Sequence, residues 1–212
     1  MDKSTDQVLT GILLMLGFCI TAPLIDVAAK LAAATIPVGQ ITTGRFIVQT
    51  IVMAPVCYVL GYSLRFPRAM LTPLILRALF LILSTYFFVA AVQVMPIADA
   101  LAIAFVEPFI LLFLGWFVFQ DEVGPRRIAA SALGFAGSML VIQPSLQAFG
   151  YVALYPLGTA LTFALYMLVT RSLGAKMHPI AMQLHTATVA AVICLPVMVV
   201  ANGSGIGPLD PV

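Results

Sequence analysis

Apolar residues in this chain gather into about seven long blocks, separated by short polar or proline-bearing interruptions. A helix that crosses about 30 Å of hydrocarbon at about 1.5 Å per residue needs about 20 mostly apolar residues. The blocks meet that requirement at roughly 8 to 29, 39 to 61, 74 to 94, 97 to 119, 126 to 143, 151 to 170 and 179 to 201. Prolines 37, 67, 73, 96, 125, 144 and 179 fall at or near the junctions, where a helix must end. The pattern predicts an all-α, polytopic membrane helix bundle with connections too short to hold a soluble domain.

Composition sharpens this reading. The chain is 62% hydrophobic and 8% charged, against roughly 25% charged in soluble proteins. A net charge of +2 spread over the loops offers no nucleic-acid surface. Cys19, Cys57 and Cys194 lie inside apolar blocks without metal-ligand or redox spacing, so no metal or cofactor is expected. Zinc-protease, nucleophile-elbow and phosphate-loop motifs are missing, and the expectation is a protein that is not an enzyme.

Basic residues orient the bundle, because Lys and Arg are retained on the cytoplasmic side. With the N-terminus cytoplasmic, Lys3, Arg65, Arg68, Arg77, Arg126, Arg127, Arg171 and Lys176 fall inside or at inner helix ends, and Lys30 and Arg45 fall toward the outside. The chain also carries a faint internal repeat. Aligning Thr21 with Thr162 sets Leu24 on Leu165 and Lys30 on Arg171, and after one inserted residue Pro37 on Pro179. Spans one and two then correspond to spans six and seven. A unit of five spans inverts its second copy in the membrane.

The stretch Met95-Pro-Ile-Ala-Asp-Ala100, followed by Phe105-Val-Glu-Pro108, Gly115-Trp116, Asp121-Glu122 and Arg126-Arg-Ile-Ala-Ala-Ser-Ala-Leu-Gly134, resembles the EamA-like proteins of the drug/metabolite transporter superfamily. The resemblance covers most of residues 10 to 143. It implies a first five-helix repeat over residues 1–149 and an incomplete second repeat, two helices long, over 150–212. It further implies transport of small metabolites across the bacterial plasma membrane, by members with ten helices in two inverted repeats. Amino acids, nucleoside-like metabolites and vitamins are cargo classes of that family.

Ionisable groups at membrane depth are costly and mark pathways or partners. Glu107 lies near the middle of the fourth span, before Pro108, which removes a backbone donor and kinks a helix. Asp26 and Lys30 share a face of the first span and can pair, and Pro23 lies one turn earlier. Arg45 stands about two turns into the second span with Thr42 and Gln49 on a similar face, and can grip a carboxylate or pair internally with Asp26, Asp99 or Glu107. Thr85, Tyr86 and Gln93 of the third span are further pathway candidates, with bonds to neighbouring helices as the plainer alternative.

Ala130, Gly134 and Ser138 have the spacing of a close helix contact, and Trp116, Tyr151 and Tyr155 read as interface anchors. His185 reads as a hydrogen-bonded structural histidine. Together these residues predict a secondary transporter of a small polar metabolite, amino-acid-like, working by alternating access in the lipid bilayer. Protons carried by Glu107 or Asp26 are the expected coupling ion. A membrane receptor or scaffold that binds without transport, or a transporter fragment without function, are the competing readings.

Overall fold

A computed structural model describes residues 3–63, 68–120 and 124–203. Among these the chain is helical, with no strand. The elements are α1 (Lys3–Ala33), α2 (Val38–Val59), α3 (Leu71–Val94), α4 (Ile97–Ala104), α5 (Glu107–Phe119), α6 (Pro125–Phe149), α7 (Leu154–Gly174) and α8 (Pro179–Gly203). Six stretches are long and apolar enough to cross a bilayer: Gly11–Ala33, Val38–Val59, Leu71–Val94, Ile97–Phe119, Gly150–Gly174 and Pro179–Val200. The expected fifth span, 126 to 143, lies on α6, much of whose side-chain detail falls outside the described residues.

Proline sets several helix starts. Pro37 and Pro96 precede α2 and α4 with φ of −57° and −58°, and their carbonyls accept the N–H groups of Gln40 at 2.9 Å and Ala100 at 3.1 Å. A proline there loses nothing, because the first N–H groups of a helix have no intrahelical acceptor. Inside a span the outcome varies. α1 runs unbroken through Pro23, whereas the fourth span is split at Phe105 and Val106 into α4 and α5. The second segment begins at Glu107 with Pro108 in its first turn, so the expected kink takes the form of a two-residue break across which the backbone stays right-handed.

Two antiparallel pairs organise the bundle. α3 packs along α7, from Arg77 beside Thr170 at one end, through Ser84 near the Thr159 carbonyl at 3.5 Å, to Phe87 against Tyr155 at 6.3 Å between ring centres. α2 packs along α8: fully buried Phe46 clusters with Ala190 and Cys194, and Cys57 Sγ lies 3.7 Å from the Ile180 carbonyl. The two helices lie side by side in opposite directions. α4 and α5 lean on α7, and α1 crosses α2 and α3.

The surfaces turned away from these pairs are apolar. Leu14, Ile20 and Leu31 of α1, Val52 of α2, Phe117 of α5 and Val192 of α8 are all exposed. Such a continuous apolar exterior is stable against lipid and not against water. Trp116 and Tyr151 are exposed as interface anchors would be. Tyr155 instead turns inward onto Phe87 and the cluster of Ala33, Val38, Val89 and Ala90.

Candidate functional site

Two arginines, Arg45 of α2 and Arg77 of α3, face the bundle interior in different ways. Arg45, the eighth residue of α2, reaches across to α3, where Nη1 donates to Thr85 Oγ1 at 3.2 Å. Asp26 of α1 is the acidic group near enough to act on the Arg45 charge. Arg45 is nevertheless exposed, while Thr85 beneath it is 4% exposed. Arg45 thus spans from α2 to a buried hydroxyl on α3 while part of its side chain stays exposed.

A guanidinium has five N–H donors in a planar fork. Among the described residues, Thr85 takes Arg45's single hydrogen bond, and most of the fork is unengaged. Asp26, half-buried one helix away, shows no hydrogen bond or ion pair among the described residues. Arg45 and Asp26 are thus near enough to act on each other's charge without a direct ion pair among the described residues, and half-buried Gln49 lies one turn further along α2. The arrangement suits a ligand with a carboxylate for the fork and an ammonium for Asp26.

The sequence grouped Lys30 with Asp26, and the structure places it elsewhere. Lys30 Nζ donates to the carbonyls of Val92 at 2.5 Å and Met95 at 2.8 Å, at the C-terminal end of α3. Gln93 Nε2 returns the tie, donating to the Ala33 carbonyl at the end of α1 at 3.3 Å. Helix C-termini leave carbonyls without intrahelical donors and carry partial negative charge, so a lysine and an amide from opposing helices satisfy both ends. Tyr86 packs edge-on to Phe87 with ring centres 6.3 Å apart, on the same apolar cluster as Ala33. Asp99 sits in the first turn of α4, where the helix dipole favours a carboxylate, and Arg45's charged neighbour is Asp26 in its place.

Glu107 stands apart from this group. It is the first residue of α5, half-buried at the break in the fourth span, with no hydrogen bond or ion pair among the described residues. The break gives it what a continuous helix would deny, a carboxylate at a helix N-terminus in mid-span.

Arg77 was counted among the positive charges at inner helix ends, and it is instead the most enclosed charge described. Only 2% exposed, it donates from Nε to Thr170 Oγ1 at 2.8 Å, from Nη2 to Tyr166 Oη at 2.5 Å and Gln183 Oε1 at 3.3 Å, and from Nη1 to Thr186 Oγ1, with a longer contact to the Met182 carbonyl at 3.5 Å. Its Cζ also lies 4.4 Å from the centre of the Tyr166 ring. The partners are neutral and all come from α7 and α8. The signal was in the sequence: Thr162, Tyr166 and Thr170 form a polar stripe at intervals of four, and Gln183 and Thr186 are three apart on the next helix.

A model of the EamA-like transporter family matches residues 9–143. The chain belongs to this family. Among EamA-like relatives, a riboflavin transporter of Rhizobium johnstonii is 34% identical over 114 residues, 54% of this chain and 36% of its own length. An S-adenosylmethionine uptake transporter of Rickettsia prowazekii is 24% identical over 198 residues, 93% of this chain and 67% of its own length. A pseudopaline exporter of Pseudomonas aeruginosa is 25% identical over 197 residues, 91% and 68% of the two chains. The chain therefore spans between about a third and two thirds of these proteins. No solved structure matches. The EamA-like match takes in α1 to α5 and most of α6, and so contains Asp26, Arg45, Thr85, Arg77 and Glu107.

Proposed function

We propose that the chain is a secondary transporter of a small zwitterionic metabolite, with Arg45 holding the carboxylate and Asp26 the ammonium. The observation that carries the reading is the Arg45 guanidinium, with one hydrogen bond among the described residues, beside the Asp26 carboxylate, with none. Charges held this deep in an apolar bundle are expensive unless a ligand or partner repays them. Relatives named for uptake and for export of metabolites support transport as the activity. S-adenosylmethionine, the cargo in one of those names, is itself an α-amino acid, which favours a fork-and-carboxylate site.

Transport proceeds by rocking one repeat against the other, with the N-terminus cytoplasmic in a bacterial inner membrane. Glu107, unpartnered at the helix break, carries the coupling proton. The test is reconstitution of the full chain in liposomes with a panel of labelled amino acids. Saturable flux that is lost in Arg45→Ala supports the reading. Binding without flux across the panel, with a proton gradient imposed, would instead identify a receptor.

A further inference from the structure

We propose that Arg77 is the latch that holds shut the end of the transporter where α2 meets α3 and α7 meets α8. The inference deepens the transporter reading and rests on its rocking motion, since a latch matters only if the two repeats separate there.

The location comes first. Arg77 is the seventh residue of α3, about 9 Å from its start at about 1.5 Å per residue. Thr170 and Tyr166 lie in the last turns of α7, and Gln183 and Thr186 in the first turns of α8. All of these partners therefore belong to one end of the bundle, and every bond runs from the first repeat to the second.

Other contacts across the repeats gather at the same end. Tyr62, just beyond α2, stacks on His178, just before α8, with ring centres 4.1 Å apart and Tyr62 Oη 3.0 Å from Nε2. His185 of α8 hydrogen-bonds the backbone of Ser63. Leu74, Leu173 and Met182, at 0%, 2% and 3% exposure, close the apolar layer beside Arg77. Toward the opposite end Arg45 is exposed and Asp26 half-buried. Apolar packing between the repeats continues to the other end, where Tyr155 meets Phe87 and Ala153 joins Met95 and Ala100, but the polar ties between repeats concentrate at the Arg77 end.

The chemistry of the Arg77 cluster suits a seal that must also release. A buried arginine paired with carboxylates would leave uncompensated charge when pulled apart, at high cost. Here the acceptors are hydroxyls, an amide oxygen and a carbonyl, each of which water can replace. Opening this end returns the guanidinium to water, so hydration offsets the lost bonds and the closed and open arrangements stay near in energy. Tyr166 brings the latch near the site, since it accepts from Arg77 and packs in one cluster with Phe46, the residue next to Arg45.

The test reads opening directly and needs no substrate. In a background with Cys19, Cys57 and Cys194 replaced, Met182→Cys reports the sealed end and Ala100→Cys, fully buried on α4, reports the intactness of the fold. Labelling by a water-soluble maleimide in open membranes should be slow at both positions. Arg77→Ala should raise the rate at position 182 by about tenfold and leave position 100 protected. Tyr166→Phe, which keeps the ring and removes one acceptor, should raise it about threefold and guards against a variant that fails to fold. An unchanged rate at position 182 in both variants overturns the latch, and so does a parallel rise at position 100, which marks general loosening. Absence of flux in liposomes alongside the expected labelling would count against the transporter reading and leave the seal intact.

Discussion

Arg45 and Arg77 show how the same side chain takes different roles according to what surrounds its five donors. Arg77 is enclosed by neutral acceptors from two helices, whereas Arg45 spends one donor on Thr85 and keeps the rest. Replacing Arg45 with lysine retains charge and loses the fork. A charge-assisted hydrogen bond contributes about 1.5 kcal/mol, so Arg45→Lys should raise the KM for flux about tenfold with a smaller effect on maximal rate. A KM within twofold of the parent would mean that the guanidinium does not touch cargo. Glu107→Gln keeps size and hydrogen-bonding capacity and removes ionisation. It should insert normally and lose the response of flux to an imposed pH gradient, measured with a pH-sensitive dye in the liposome lumen. Residues of the site were legible in the sequence because charge in an apolar block is conspicuous by itself. Gln93 takes the plainer alternative, a bond to a neighbouring helix, and Lys30 reaches backbone carbonyls of α3, partners that no side-chain pattern reveals. Arg77 was absorbed by the rule for positive charges at cytoplasmic ends, which does not ask how deep the charge sits.

At the scale of elements, span positions followed from block length and junction prolines, and the kink at Pro108 was foreseen. Its form, a two-residue break, was not. Pro23 and Pro55 lie within unbroken helices, so a proline alone does not decide between a bend and a break. The small-residue spacing on the fifth span finds its counterpart in Gly134, where an added Cβ would stand 2.6 Å from Phe109 Cζ. Phe109 is itself held edge-on to Phe135, with ring centres 6.2 Å apart, so it has little room to retreat. Gly134→Ala should therefore lower the stability of the detergent-solubilised protein by about 1 to 3 kcal/mol, read as a reduced midpoint in a thermal or denaturant scan. An unchanged midpoint would show that α5 and α6 separate without cost.

Over the whole molecule, α2 and α8 pair antiparallel, the arrangement that two copies related by a two-fold axis in the membrane plane would give. The central position of α3 against α7 was not legible, because it depends on packing between repeats and not on any pattern within one helix. Sidedness is tested with impermeant thiol reagents. A cysteine at exposed Thr35, between α1 and α2, should label from outside intact cells, and one at exposed Lys176, between α7 and α8, only after the membrane is opened. Reversed labelling would put the Arg45 site on the cytoplasmic side. The most direct measurement of the central claim is counterflow of labelled amino acids in liposomes carrying the parent chain or Arg45→Ala at equal protein density. The account predicts saturable exchange with the parent and loss of at least about tenfold in the variant at low substrate. Equal exchange by both, or binding by the parent without exchange, would contradict it.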